Sequence, residues 1–288
     1  MKITVIGSGF GGLAAAIRLQ AQGHDVTIVE KRDKTGGRAY VYEQDGFTFD
    51  GGPTIITAPW LIDELFAIAG KKTADYVDLV KIDPFYNIRW ADGTVFNYND
   101  NRENLMTQIA KIAPDETGSY KKFSKDLGEI YRVGFELIDQ PFDSIMSMLK
   151  VVPQMVKLRS DRSVYKFASR YFKNEKLREA FSFHPLLIGG NPFTATSIYA
   201  MIHELEQKFG VWFAMGGTGA LVRGLSDLFK DIGGSILLET AVSEITVKNG
   251  KADGVRLKSG EFIEADAVVS NADVGFTYLN LIAPAHRR

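Results

Sequence analysis

Residues 2–40 read KITVIGSGFGGLAAAIRLQAQGHDVTIVEKRDKTGGRAY, and this stretch decides the fold. Ile3 to Ile6 is a short, wholly apolar run, the pattern of a parallel strand buried on both faces. Gly7, Gly9 and Gly12 follow at G-x-G-x-x-G spacing, and Leu13 to Leu19 is alanine-rich and apolar at helical spacing. Val26 to Val29 reads as a second buried strand ending at the acid Glu30. Strand, glycine turn, helix, strand and acid within about 30 residues form the context that a dinucleotide fingerprint requires. Gly7 permits the tight turn, Gly9 the close approach of a pyrophosphate, and Gly12 the close packing of helix on sheet. The helix aims its free N–H groups and positive dipole end at the phosphates. Glu30, 18 positions beyond Gly12, would accept from a ribose hydroxyl. The competing reading is a glycine-rich turn in some other α/β protein, and the ordered strand, helix and acid weigh against it. FAD and NAD both remain open at this point.

Downstream, an aromatic-rich extended stretch runs through Tyr40, Tyr42, Phe47 and Phe49 to Asp50-Gly51-Gly52-Pro53-Thr54. Helical spacing predicts helices over 59–69, 101–113 and 115–137, and Asp92-Gly93 between apolar runs predicts a hairpin over 86–98. Residues 141–158, PFDSIMSMLKVVPQMVKL, are rich in Met and aliphatics. They read either as a segment lying in a membrane interface or as a helix pair packed on its own domain with methionines filling gaps. Further helices are expected over 163–172, 174–183 and 196–207, a strand over 211–213, and a helix after Gly216-Gly217-Thr218-Gly219. The chain then turns to β over 235–238, 241–247, 255–257 and 267–270, with Asn249-Gly250 as a turn signal.

The 288 residues are 45% hydrophobic and 24% charged, as in an ordinary soluble protein, and the length allows two domains. A net charge of −1 argues against a nucleic-acid binder. With no cysteine, disulfides, thiolate nucleophiles and Cys-based metal sites are excluded, which suits a reducing compartment. The N-terminus enters a core strand directly, so no signal peptide is expected, and no run of about 20 apolar residues predicts a membrane-spanning helix. No metal site and no catalytic triad or carboxylate pair emerges from the residue inventory, and no catalytic residue is assigned. His203 reads as a structural histidine in mid-helix, His184 as either cavity lining or a loop brace, and Lys31 and Arg32 as solvated.

Three stretches favour FAD over NAD. Arg38 in Gly36-Gly37-Arg38 can hold pyrophosphate oxygens by charge-assisted bonds. Asp50-Gly51-Gly52-Pro53 offers bare backbone to a flat ring, and the strand around Ala241 to Ile245 is expected to return to the sheet and meet an adenine. With these stretches the chain resembles the flavoprotein superfamily of amine oxidases, protoporphyrinogen oxidases and carotenoid desaturases, and within it the bacterial phytoene desaturases. The resembling residues are GSGFGGLAAAIRLQAQGHDV, EKRDKTGGRAYVYEQDGFTFDGGPT, AFSFHPLLIGGNPFTATSIYAMIHELE, GVWFAMGGTGALVRGL and VVSNADV. The first two are shared across the superfamily; those between Ala180 and Leu225 are specific to carotenoid desaturases.

The resemblance implies an α/β, Rossmann-like FAD-binding domain assembled from separated segments, 1–74 and 216–275, around an inserted mixed α+β substrate domain rich in helices, 75–215. Residues 276–288 are expected to begin a truncated continuation, because nothing after Asp273 resembles the family's glycine-rich C-terminal segment beneath the flavin. By resemblance, Gly7, Gly9 and Gly12 would line the pyrophosphate, Glu30 the ribose, and Gly37 and Arg38 the phosphates again. Gly52, Pro53 and Thr54 would approach the isoalloxazine, and Val242 the adenine through its backbone. His184, Trp212, Phe213 and Met215 would line the substrate cavity, although family members often carry proline or a bulkier residue near Ala214 and Met215. The implied activity is FAD-dependent desaturation of a carotenoid precursor such as phytoene, by hydride transfer from a C–C single bond. Oxygen or a quinone would be the electron acceptor. The implied protein is cytoplasmic and peripherally associated with a membrane surface, where its hydrophobic polyene substrate dissolves. The alternatives are a carotenoid isomerase, a carotenoid oxygenase, an amine oxidase, or a non-catalytic truncated product that holds no FAD.

Overall fold

The apolar run at the N-terminus forms β1 (Lys2–Ile6), and the glycine turn leads into α1 (Phe10–Ala21). Then follow β2 (Asp25–Val29), β3 (Val41–Gln44), β4 (Phe47–Asp50), α2 (Pro59–Ile68) and β5 (Leu79–Lys81). The middle of the chain builds β6 (Tyr86–Arg89), β7 (Val95–Tyr98), α3 (Arg102–Ile112), α4 (Thr117–Ile138), α5 (Ile145–Lys157), α6 (Val164–Ala168), α7 (Glu175–Ala180) and α8 (Met201–Phe209). The last part forms β8 (Trp212–Ala214), α9 (Gly217–Asp231), β9 (Ser235–Leu237), β10 (Val242–Lys248), β11 (Lys251–Leu257), β12 (Phe262–Glu264) and β13 (Ala267–Ser270). The structure, a computed structural model, describes residues 1–138, 144–157 and 161–287.

Two units result, Met1–Val80 with Trp212–Arg288, and Lys81–Val211. The divisions expected at 74/75 and 215/216 move to 80/81 and 211/212. Backbone bonds explain the shift. Ile56 and Trp212 exchange N–H···O bonds of 2.8 Å, and Met215 N–H donates to the Asp78 carbonyl at 2.8 Å. These bonds tie both flanking segments into the first unit, which also takes in the residues after 275.

In the first unit, four parallel strands lie in the order β13-β1-β2-β9. Alternation along the strands separates two cores. Ile3, Val5, Val26 and Ile28 pack with Leu13, Ala16 and Ile17 of α1, Leu65 and Phe66 of α2, and Leu225, Leu228 and Phe229 of α9. Ile6 and Val29 pack in a second cluster with Ile245, Val255 and Leu257. That second cluster corrects one expectation. β10 and β11 do not return to the parallel sheet; with β12 they form a separate antiparallel sheet. Among the described residues, only β9 and β13 join β1 and β2. Each fully buried Leu, Ile or Val in these layers contributes about 1.5–3 kcal/mol. The stretch 41–50, expected only to be extended, is a hairpin turned at Asp45-Gly46, whose φ values of 51° and 80° are those of a two-residue type I′ turn.

The second unit joins the β6–β7 hairpin to helices α3 to α8. Its core is aromatic: Phe123 of α4 meets Phe167, Phe172 and Phe181 with ring centroids 5.3–5.8 Å apart, and Phe172 stacks on Phe181 at 4.9 Å. The helices expected over 163–172 and 174–183 shorten to α6 and α7, and that over 196–207 is a 3-10 turn at Ser197–Ala200 followed by α8. Of the stretch 141–158, residues 141–143 and 158 lie outside the described residues.

His203 of α8 is buried among these rings, its Nδ1 hydrogen-bonded with the Tyr98 hydroxyl and its Nε2 facing the Tyr120 hydroxyl at 3.3 Å. Burial first, then the charges of His184 and Arg102, hold its pKa well below the ordinary histidine value of 6.5. The folded protein therefore keeps His203 neutral where the unfolded chain protonates it. The associated stability is present above pH 6.5 and is lost as pH falls below that value. Denaturant titrations from pH 7 to pH 5 are expected to show this loss, and His203→Gln is expected to flatten it.

Candidate functional site

The glycine turn is built on one close approach. A Cβ placed on Gly12 would lie 2.0 Å from the Gly7 carbonyl oxygen, so any side chain there pushes α1 off β1. Gly7, at φ +90°, donates its N–H to the Val29 carbonyl at 2.8 Å and so joins the turn to β2. α1 starts at Gly9 with no side-chain cap and no acid in its first turn. Its first internal bond is Leu13 N–H to the Gly9 carbonyl at 2.9 Å, and the N–H groups of Phe10, Gly11 and Gly12 meet no acceptor among the described residues. Bare helix N–H groups beside a glycine turn are the donor set that a pyrophosphate satisfies.

Glu30 does more than the sequence implied. Its carboxylate, 4% exposed, accepts from Ser8 N–H at 2.8 Å and Ser8 Oγ at 2.6 Å through one oxygen, and from Arg32 N–H at 3.0 Å through the other. An ionised carboxylate offers about four acceptor positions. Three hold the turn against the strand end, which leaves one acceptor position unused by these bonds.

Gly36 N–H donates to the Ser8 carbonyl at 3.0 Å, and a Cβ on Gly37 would come 2.9 Å from Gly9 Cα, so the second glycine pair lies directly on the first. Arg38 is exposed and makes no ion pair among the described residues, which leaves its guanidinium available to an anion. Arg32, by contrast, donates to the Gly37 carbonyl at 2.9 Å and lies 4.9 Å over the Tyr40 ring. Gly52, Pro53 and Thr54 present exposed backbone. They are anchored by a residue to which the sequence assigned no role: Asp50 accepts from Thr218 N–H at 2.9 Å and Gly219 N–H at 3.4 Å, capping α9. Thr218 Oγ1 donates to the Pro53 carbonyl at 2.5 Å, completing the clamp. The Gly-Gly-Thr-Gly run before an apolar helix was the available signal, since such a helix start lacks its own cap.

Val242 opens β10, two residues after Thr240, whose N–H donates to the Glu30 carbonyl at 2.8 Å. Val242, the residue expected to meet an adenine, therefore belongs to the antiparallel sheet rather than to the parallel one. Trp212 and Phe213 are half-buried and Met215 is 51% exposed. His184 departs from cavity lining. It is fully buried in the second unit, its Nε2 is 3.2 Å from Glu206 Oε2 and 3.3 Å from the Tyr98 hydroxyl, and Tyr86 donates to the other Glu206 oxygen at 2.7 Å. This network braces the loop.

The family model described as flavin containing amine oxidoreductase matches residues 10–284. The chain belongs to that family. Its glycine cradle, bare helix N-terminus and unpaired Arg38 fit FAD, the dinucleotide form of a flavin. The chain is 50% identical over 281 residues to the lycopene-forming phytoene desaturase of Pantoea ananas, covering 97% of this chain and 57% of that protein. It is 44% identical over 288 residues to the neurosporene-forming phytoene desaturase of Cereibacter sphaeroides, covering 100% and 56%. The chain thus spans a little over half the length of these relatives. Among solved structures, the PF1083 protein of Pyrococcus furiosus superposes with a TM-score of 0.66 at 21% identity, covering 100% of this chain and 63% of that one. Putrescine oxidase bound to putrescine superposes at 0.63 and 15% identity, covering 99% and 61%. These two share the fold.

Replacing Asp50 by alanine removes a charged cap from α9 and should cost about 1–2 kcal/mol, with Asp50→Asn keeping part of it. Urea unfolding of the three proteins measures the difference.

Proposed function

We propose that this chain carries the FAD-binding cradle and the substrate-facing segment of a carotenoid desaturase, and that the protein at the length of its relatives desaturates phytoene or a similar polyene. The observation that carries this reading is the 50% identity to a phytoene desaturase along 97% of the chain. Bound FAD supplies the hydride acceptor that turns a C–C single bond flanked by double bonds into part of a longer conjugated system. The residues of this chain bind and orient. Gly7, Gly9 and Gly12 admit the pyrophosphate, Arg38 and the first turn of α1 neutralise it, and Glu30 accepts from the ribose. Gly52, Pro53 and Thr54 keep side chains away from the ring, held in place by Asp50 on α9. Trp212, Phe213 and Met215 supply apolar surface to the polyene. A polyene cation is stabilised by its own conjugation, so the chemistry asks little acid–base work of the protein.

A membrane surface is the second part of the proposal. α5 exposes Met146, Leu149, Val152 and Val156, spaced three or four residues apart and 48–68% exposed, an apolar face that would suit a helix lying in an interface. Leu186, Ile188 and Phe193 of the same unit are also 56–62% exposed. Among the described residues no helix is long and apolar enough to cross a membrane, so association would be peripheral.

The test adds FAD to the purified chain, follows the visible spectrum after gel filtration, and supplies the relative-length protein with phytoene in liposomes and an acceptor such as a quinone. Retained flavin absorption, sedimentation with the vesicles and conversion of phytoene to more conjugated products are the expected results. Failure to retain flavin, or unchanged phytoene while flavin is bound, would overturn the reading, and protein left in the supernatant would remove its membrane part.

A further inference from the structure

Asn271 follows β13 and has no role in the site as described so far. Its N–H donates to the Ile6 carbonyl at 2.9 Å, extending the β13–β1 ladder to the residue before Gly7 and fixing where its side chain lies. The carboxamide rests on the glycine turn. A Cβ on Gly9 would lie 3.0 Å from Asn271 Nδ2, and one on Gly11 would lie 2.6 Å from Asn271 Oδ1. Gly12 would meet the Asn271 Cβ at 3.2 Å. Gly11 is not one of the three fingerprint glycines and sits exposed in the first turn of α1, where alanine is the better helix former. The seat for the carboxamide accounts for its glycine. Asn271 is itself exposed, and neither its Nδ2 nor its Oδ1 has a hydrogen-bond partner among the described residues. An unpartnered amide donor therefore stands beside the unpartnered N–H groups of Phe10, Gly11 and Gly12.

We propose that Asn271 is a ligand of the FAD pyrophosphate, its carboxamide N–H donating to a phosphate oxygen beside the first turn of α1. This assignment rests on the FAD reading above. A neutral amide at that place adds a donor without adding charge, whereas an aspartate would set a carboxylate against the phosphates. Gly11 serves the same contact by leaving the carboxamide its seat.

The test is calorimetric titration of the apoprotein with FAD, ADP and riboflavin, the last lacking phosphates. A hydrogen bond to a charged group corresponds to roughly a 10- to 100-fold change in affinity. Asn271→Ala and Asn271→Ser are expected to weaken FAD and ADP at least about tenfold, Asn271→Asp more, and riboflavin not at all. Thermal melts of the apoproteins check that each variant is folded. Gly11→Ala supplies a reading that leaves Asn271 in place: it should weaken FAD in the wild-type background and add nothing once Asn271 is alanine. FAD affinity within twofold of wild type in folded Asn271→Ala and Asn271→Asp, equal losses for riboflavin, or an equal Gly11→Ala effect in both backgrounds would each overturn the assignment and leave the FAD reading standing. Failure of the wild-type chain to bind both FAD and ADP would overturn the two together.

Discussion

The contact between Gly12 and the Gly7 carbonyl oxygen is the constraint from which the first unit follows. With no Cβ at position 12, α1 lies against the end of β1, and its first-turn N–H groups come to the rim of the parallel sheet rather than into a packed core. Everything that approaches this turn does so through backbone or a short polar side chain. Gly37 comes from the loop after β2, Ser8 and Glu30 lock together, and Asn271 arrives from β13. Three separated parts of the sequence converge on one patch of bare N–H groups, and that convergence makes the patch chemically specific. A glycine turn alone would accept any anion; beside this one Glu30 offers a carboxylate acceptor and Asn271 an amide.

How much of this could be read in the sequence depends on whether each contact is local. β1, the turn, α1, β2 and Glu30 are consecutive, their periodicities are unambiguous, and the structure places them as the pattern predicts. The turn signals Asp92-Gly93 and Asn249-Gly250 mark real hairpins, and Asp45-Gly46 carried the same signal in a stretch taken only as extended. What escaped was long-range. Asp50 capping a helix that begins 167 positions later leaves no trace in local spacing, because any acid in any loop can serve a bare helix start. The sheet membership of β10 escaped for a related reason: alternation reports that a strand is half-buried, not which partner it pairs with. β10 has a bulged antiparallel partner in β11, its neighbour across a tight turn, and that local pairing wins over a return to the parallel sheet.

The second unit shows a different economy. Several of its polar groups pair with one another inside an aromatic core, while His184 Nδ1 and Glu204 Oε2 are buried with no partner among the described residues. The Tyr86–Glu206–His184–Tyr98–His203–Tyr120 chain joins the β6–β7 hairpin, α4, the 184–188 turn and α8. Burial together with the Glu206 charge raises the Tyr86 and Tyr98 hydroxyls well above the ordinary tyrosine range, so both remain protonated donors. His184, met in the sequence beside Pro185 in a family-like loop, belongs to this frame. A core specified by polar contacts holds a single arrangement of its helices, a useful property in a unit that exposes apolar side chains on α5 and around residue 188.

Amide hydrogen exchange of the chain with and without FAD tests the central claim most directly, because it reads the backbone N–H groups themselves. Slowed exchange at the segments 8–13, 36–39 and 271–272, together with the ring segment 52–54 and the adenine segment around 242, is the predicted result on adding FAD. Unchanged exchange at 8–13 under conditions where flavin is bound would contradict a pyrophosphate seated on the first turn of α1.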